Sequence, residues 1–120
     1  MSTHPNAILV CALMPDGTTR KTLRAILEEK KAVEHQDADD ITIGEHVYHT
    51  TVMESGYSDS WQLSAKEGEI LFHDFLTYGY GGICEWEKLV AQQKALEEWA
   101  KIVCEKYKCT YRIFVTANYW

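Results

Sequence analysis

Eight consecutive apolar residues, Ala7 to Met14, constrain this chain more than any other feature. A run of that length without alternation suits a strand buried on both faces, because a half-buried strand alternates and a helix needs more residues. It is far short of the ~20 residues of a membrane-spanning helix. Ser-Thr-His-Pro-Asn precedes it with no Lys or Arg, so the basic start of a secretory signal is lacking as well. A strand of this kind must be paired on both edges and covered on both sides, and the other residues have to supply those partners. The expected frame is one globular domain, 1–120, of cytoplasmic type and without a membrane segment.

The rest of the chain switches between helical and strand periods. Pro15-Asp16-Gly17 punctuates, Thr18 or Thr19 offers a cap, and Leu23, Ile26, Leu27 and Val33 recur at helical spacing to about His35. Ile41-Thr42-Ile43 and Glu45 to Glu54 read as strands joined by a turn at Gly44-Glu45. The stretch 65–78 admits two readings. Ser64 to Glu67 has capping-box spacing, and Leu71, Phe72, Phe75 and Leu76 form a helical stripe. Alternatively, 61–65 and 69–75 are the arms of a hairpin across Glu67-Gly68; the helix is preferred. Ile83 to Lys108 predicts the longest helix, with Trp86, Leu89, Val90, Leu96, Ala100, Val103 and Tyr107 inward and Lys94–Glu98 and Glu97–Lys101 as i,i+4 pairs. Thr110 to Thr116 alternates as a last strand. The order β-α-β-β-(β)-α-α-β predicts an α+β fold, an antiparallel sheet of four to five strands with helices packed on one face, of ferredoxin-like (split βαβ) topology.

Eighteen acidic against twelve basic residues give a net charge of −6, which counts against nucleic acid as a partner. The excess is local. Residues 34–74 hold ten Asp and Glu and only Lys66, a balance of −9, against +2 for 1–33 and +1 for 75–120. Tyr57, Trp61, Phe72, Phe75, Tyr78 and Tyr80 fall in or just beyond that stretch. Acidic and aromatic groups together fit a host protein with a basic surface, while a solvated loop at Glu34 to Asp40 with the rings in the core accounts for the same residues.

Gly17 to Thr22 follows a strand and opens a helix, where backbone N–H groups favour anions, and Arg20, Lys21 and Arg24 add positive charge. These residues are the candidate site for a small anionic or nucleotide-type ligand, although the spacing of a P-loop is absent. Tyr78 and Tyr80, in Thr77 to Gly82, offer rings for stacking. Glu85 and Glu87 in the next helix oppose a phosphate there, and a plain glycine-rich connection is the competing reading. His46 and His49 lie three apart in a strand and point to opposite faces, so they cannot share a metal ion. His73 and Asp74 are expected as a solvated pair on the outer side of a helix. Cys11, Cys84, Cys104 and Cys109 form no CxxC and read as free thiols, so no metal or cofactor is expected. A nucleophile set of Cys84, His73 and Asp74 can be assembled from composition, but no spacing selects it.

Alternation in the last strand puts Tyr111, Ile113 and Val115 on one face and Arg112, Phe114 and Thr116 on the other. The second face, with Phe114 and Tyr48, is expected to lack helices and to serve as an oligomer interface. The chain is therefore read as a small non-enzymatic, homo-oligomeric binding protein, an inhibitor or ligand-sequestering protein in the style of phage accessory or counter-defence proteins. The alternative is a small cytosolic hydrolase or transferase using His, Asp and Cys side chains.

Overall fold

The computed structural model describes residues 5–30, 40–54, 65–77 and 83–119. The elements are β1 (Pro5–Pro15), α1 (Thr19–Lys30), β2 (Asp40–Ile43), β3 (His46–Val52), β4 (Ile70–Phe75), α2 (Trp86–Tyr107) and β5 (Cys109–Tyr119). The strands form one antiparallel sheet in the order β2-β3-β4-β1-β5. β1 is an inner strand, as its composition requires: it pairs with β4 from Ile8–Phe75 to Leu13–Ile70 and with β5 from Pro5–Tyr119 to Pro15–Cys109. Ile8 to Leu13 are at most 1% exposed. Their alternation feeds two cores. Leu9, Cys11 and Leu13 join Ile26, Ile41, Tyr48, Phe72 and Leu96 under the helices, and Ile8, Val10 and Ala12 join Met53 and Leu71 on the other side. Each fully buried aliphatic side chain contributes roughly 1.5–3 kcal/mol.

β1 and β3 run the same way with β4 between them, and β4 and β5 run the same way with β1 between them. Both helices pack on one face. That arrangement is consistent with a ferredoxin-like split βαβ topology, to which β2 adds a strand beyond β3. The turn expected at Gly44-Glu45 joins β2 to β3, with Gly44 at φ 64. At the far end of α2, Lys108 takes the left-handed conformation at φ 54 and its N–H bonds the Cys104 carbonyl, ending the helix one residue before β5.

Three expectations need correction. The stretch 65–78 is not a helix, because 70–75 forms β4. Ile70, Leu71 and Phe72 are all fully buried, one face toward each core, so the segment has no polar side and its period imitates a helical stripe. The Glu67-Gly68 turn of the rival reading is present, with Gly68 at φ 90, and Gly68 and Glu69 bond Met53 on both sides of it; the proposed arm 61–64 lies outside the described residues. Trp86 is 74% exposed rather than inward, while Gln92 is buried in the stripe of Leu96, Ala100 and Val103. Tyr48 lies on the helix face rather than with Phe114; the Phe114 side carries neither helix, as expected, but its central residues Ile8, Val10 and Leu71 have no exposed surface.

One ion pair ties β5 to the start of β4 on that opposite face. Arg112 donates from Nε to Glu69 Oε2 at 3.1 Å and from Nη2 to Oε1 at 2.8 Å, and the Lys66 N–H donates to the same carboxylate at 2.5 Å. Burial alone would raise the Glu69 pKa, but these donors outweigh it and hold the carboxyl below its usual range. The guanidinium also lies 4.8 Å from the Phe114 ring centre.

Phe72 is fully buried and meets Trp99 edge-on at 5.0 Å. Phe72→Ala is expected to cost ~3–5 kcal/mol, whereas Trp86→Ala should stay within about 0.5 kcal/mol for the monomeric chain at low concentration. Urea unfolding checks both, and equal losses would contradict the placement of the two rings.

Candidate functional site

A cleft of about 260 Å³ opens where β3 begins, β4 ends and α2 starts, with His46, Asp74, Cys84, Glu85, Lys88 and Gln92 among its walls. Strand alternation explains the grouping: His46 and Tyr48 share one face of β3, and Phe72 and Asp74 share the same face of β4. His46 Nδ1 lies 3.5 Å from Asp74 Oδ2. Gln92 reaches down from α2 and its Nε2 donates to Asp74 Oδ2 at 2.8 Å and to the Tyr48 hydroxyl at 3.0 Å. Burial pushes the Tyr48 pKa up to about 12; the Gln92 hydrogen bond opposes this and the Asp74 charge adds to it. The sequence signal for this network is a polar Gln92 in an otherwise apolar inner stripe, which marks a buried polar group but not its partners.

His73 and Asp74 are therefore not a solvated pair, since they point to opposite faces of β4. His73 sits with His49, their ring centres 5.5 Å apart, and His49 Nδ1 lies 2.8 Å from Asp40 Oδ1. His46 and His49 face apart as expected. Among the described residues no three His, Cys, Asp or Glu side chains are grouped to hold a metal ion, and no helix is long and apolar enough to cross a membrane.

The basic turn is partly neutralised. Arg20 and Arg24 line a shallow depression of about 240 Å³ with Leu23, Leu27 and Glu28, but Arg20 is ion-paired with Glu54. Lys21 is exposed beside them. The Thr19 hydroxyl donates to the Gly68 carbonyl at 3.1 Å, which fixes the helix start beside the β4 turn. Tyr78 and Tyr80 lie outside the described residues. Thr77, just before them, accepts from the Ala7 N–H through its hydroxyl at 2.9 Å, at the opposite end of the sheet from Thr19. Cys11 is buried, and burial raises its thiol pKa and that of Cys109; Cys104 is pushed up to about 11, by burial first and then by Cys109. None of these three is an activated nucleophile.

A second site is predominantly apolar. A groove of about 350 Å³ runs between the first turns of α2 and β5, lined by Leu9, Trp86, Leu89, Val90, Ile113 and Val115 among others. Trp86 is 74% and Val115 52% exposed. An open groove of this composition is what protein-recognition surfaces present. No protein-family model matches the chain, and neither a curated protein nor a solved structure is significantly similar to it. What the surfaces do has to follow from their own chemistry.

His73 gives a prediction with a definite sign. Burial, with His49 adding to it and Asp40 opposing, lowers its pKa from 6.5 to about 4. The unfolded chain therefore takes up a proton between those values that the folded protein refuses. Stability is full above pH 6.5 and falls as the pH drops toward 4, by an amount on the order of 2–3 kcal/mol. Urea unfolding at pH 7 and pH 5 should show this loss in the wild type and a smaller loss in His73→Leu. Equal losses would contradict a neutral buried imidazole.

Proposed function

We propose that this chain is a small, non-enzymatic, oligomeric binding protein that works by protein–protein association through the groove between α2 and β5. The observation that carries the reading is the pair Trp86 and Val115, large apolar side chains at 74% and 52% exposure on the rim of one apolar groove. A tryptophan left in water beside such a groove gains ~1.5–3 kcal/mol or more when a partner covers it. A basic host protein remains a candidate partner, but the acidic middle is less bare than its −9 suggests. Asp40, Glu54, Glu69 and Asp74 lie in it and face His49, Arg20, Arg112 and His46. A small anionic ligand at Arg20, Lys21 and Arg24 draws on weaker support, since Glu54 already takes Arg20. Immobilised wild-type protein is expected to recover a protein partner from extract of its host, with recovery reduced at least ~10-fold by Trp86→Ala. Unchanged recovery with the variant would contradict the reading.

One observation favours the alternative, a small hydrolase or transferase: Cys84 lines the same cleft as the His46–Asp74 pair, two residues before α2 begins. The set thus uses His46, not the His73 of the combination that composition alone allows. In that reading Asp74 and Gln92 orient His46, which would take the proton from Cys84. Alkylation by iodoacetamide discriminates. A Cys84 rate lowered at least ~10-fold by His46→Ala supports the enzyme, and an unchanged rate removes it.

A further inference from the structure

Resting on the association reading above, we infer that the partner at the α2–β5 surface is a second copy of this chain, paired antiparallel along the outer edge of β5 so that the two sheets become one. β5 is an edge strand of eleven residues, paired with β1 from end to end. Among the described residues no strand lies on its other side. A long edge presents a row of N–H and C=O groups, and soluble proteins ordinarily blunt it with Pro, a bulge or lysines. None of these devices occurs between Cys109 and Tyr119: the segment holds no Pro or Lys, and its register with β1 runs without a skipped residue, so it carries no bulge. The opposite edge differs, since β2 is only four residues long and begins with Asp40.

Charge points to a second copy rather than to a charged partner. The chain carries −6, yet the groove lining holds no charged side chain and β5 holds one. Arg112, the only charged side chain in β5, is committed to Glu69. Glu97, beside the groove on α2, faces Lys101 at 3.5 Å, Gln93 at 2.8 Å and the Tyr111 hydroxyl at 3.5 Å. Two such linings meet without bringing an uncompensated charge between them, whereas a strongly charged protein surface would find no opposite charge in the groove itself.

Symmetry then sets the register. A two-fold axis perpendicular to the sheet keeps the helices of both copies on one side and places residues of equal parity opposite one another. Centring it on Phe114 aligns all eleven residues. Phe114 then meets the partner's Phe114, Val115 meets the partner's Ile113, and Arg112 meets the partner's Thr116. Centring it on Arg112 would oppose two guanidinium groups and is disfavoured. In the favoured register the exposed Val115 is covered by a β-branched side chain, a stabilising cross-strand pair.

The test is sedimentation of the full chain over a concentration series, with Val115→Lys and, as a control, Val47→Lys, whose site on β3 is 46% exposed. The wild type is expected to run at twice the chain mass. Val115→Lys should raise the dimer Kd at least ~10-fold, with the wild-type circular dichroism spectrum kept, and Val47→Lys should not raise it. Trp86→Ala, a substitution outside the sheet, should also weaken the dimer. A wild type that stays monomeric at its highest soluble concentration overturns the inference, as does a dimer that Val115→Lys leaves intact. If the wild type is monomeric but Trp86→Ala still abolishes recovery of a host protein, the self-pairing falls while the association reading stands. If neither is seen, both fall.

Discussion

The structure depends on burying β1 on both of its faces at once. Ile8 to Leu13 leave almost no surface to solvent, and a strand in that position forces two cores on the fold, one under the helices and one on the far side of the sheet. The central pairing also fixes both ends. β4 and β5 take the two edges of β1, which sends α2 across one face between them and leaves β5 at the sheet margin. The polar cleft, the basic turn and the apolar groove are all placed by that single choice.

Charge follows the same logic. Read along the chain, 34–74 is an acidic block between two mildly basic ends. Folding brings the ends to the block. Arg20 from the N-terminal third meets Glu54, and Arg112 from the C-terminal third meets Glu69. The Glu69 pair contributes more than a surface ion pair would, since the carboxylate is 3% exposed and receives three donors. Its contribution has a pH signature: the lowered Glu69 pKa makes it available at neutral pH and lost as the pH falls through the carboxylate range.

What was legible in the sequence were features with a clear local period or a single dominant cause. The apolar run gave β1, the Gly44 turn gave the β2–β3 hairpin, and alternation put His46 and His49 on opposite faces. The errors at β4, His73 and Asp74 share one physical origin. A strand buried on both faces has no period of its own, so Ile70 to Phe75 passed for a helix, and with that error His73 and Asp74 were assigned to solvent. The same limit hid the candidate sites. Trp86 was placed inward because large rings usually are, and nothing local to Gln92 announces that it faces Asp74 and Tyr48 from another element. Pairings across 18 and 44 residues in sequence are set by the topology.

Trp86, Val115 and the open edge of β5 are the three features on which the proposed association through the sheet margin rests. Hydrogen exchange of the β5 amides in the wild-type protein tests it most directly. Every second amide of β5 bonds to β1, and the alternate set points outward, where no strand lies beside it among the described residues. Self-association through this edge requires slow exchange in both sets at high concentration, with the outward set becoming fast on dilution. Outward amides that exchange as fast as unprotected ones at every concentration, beside a protected inward set, would contradict it.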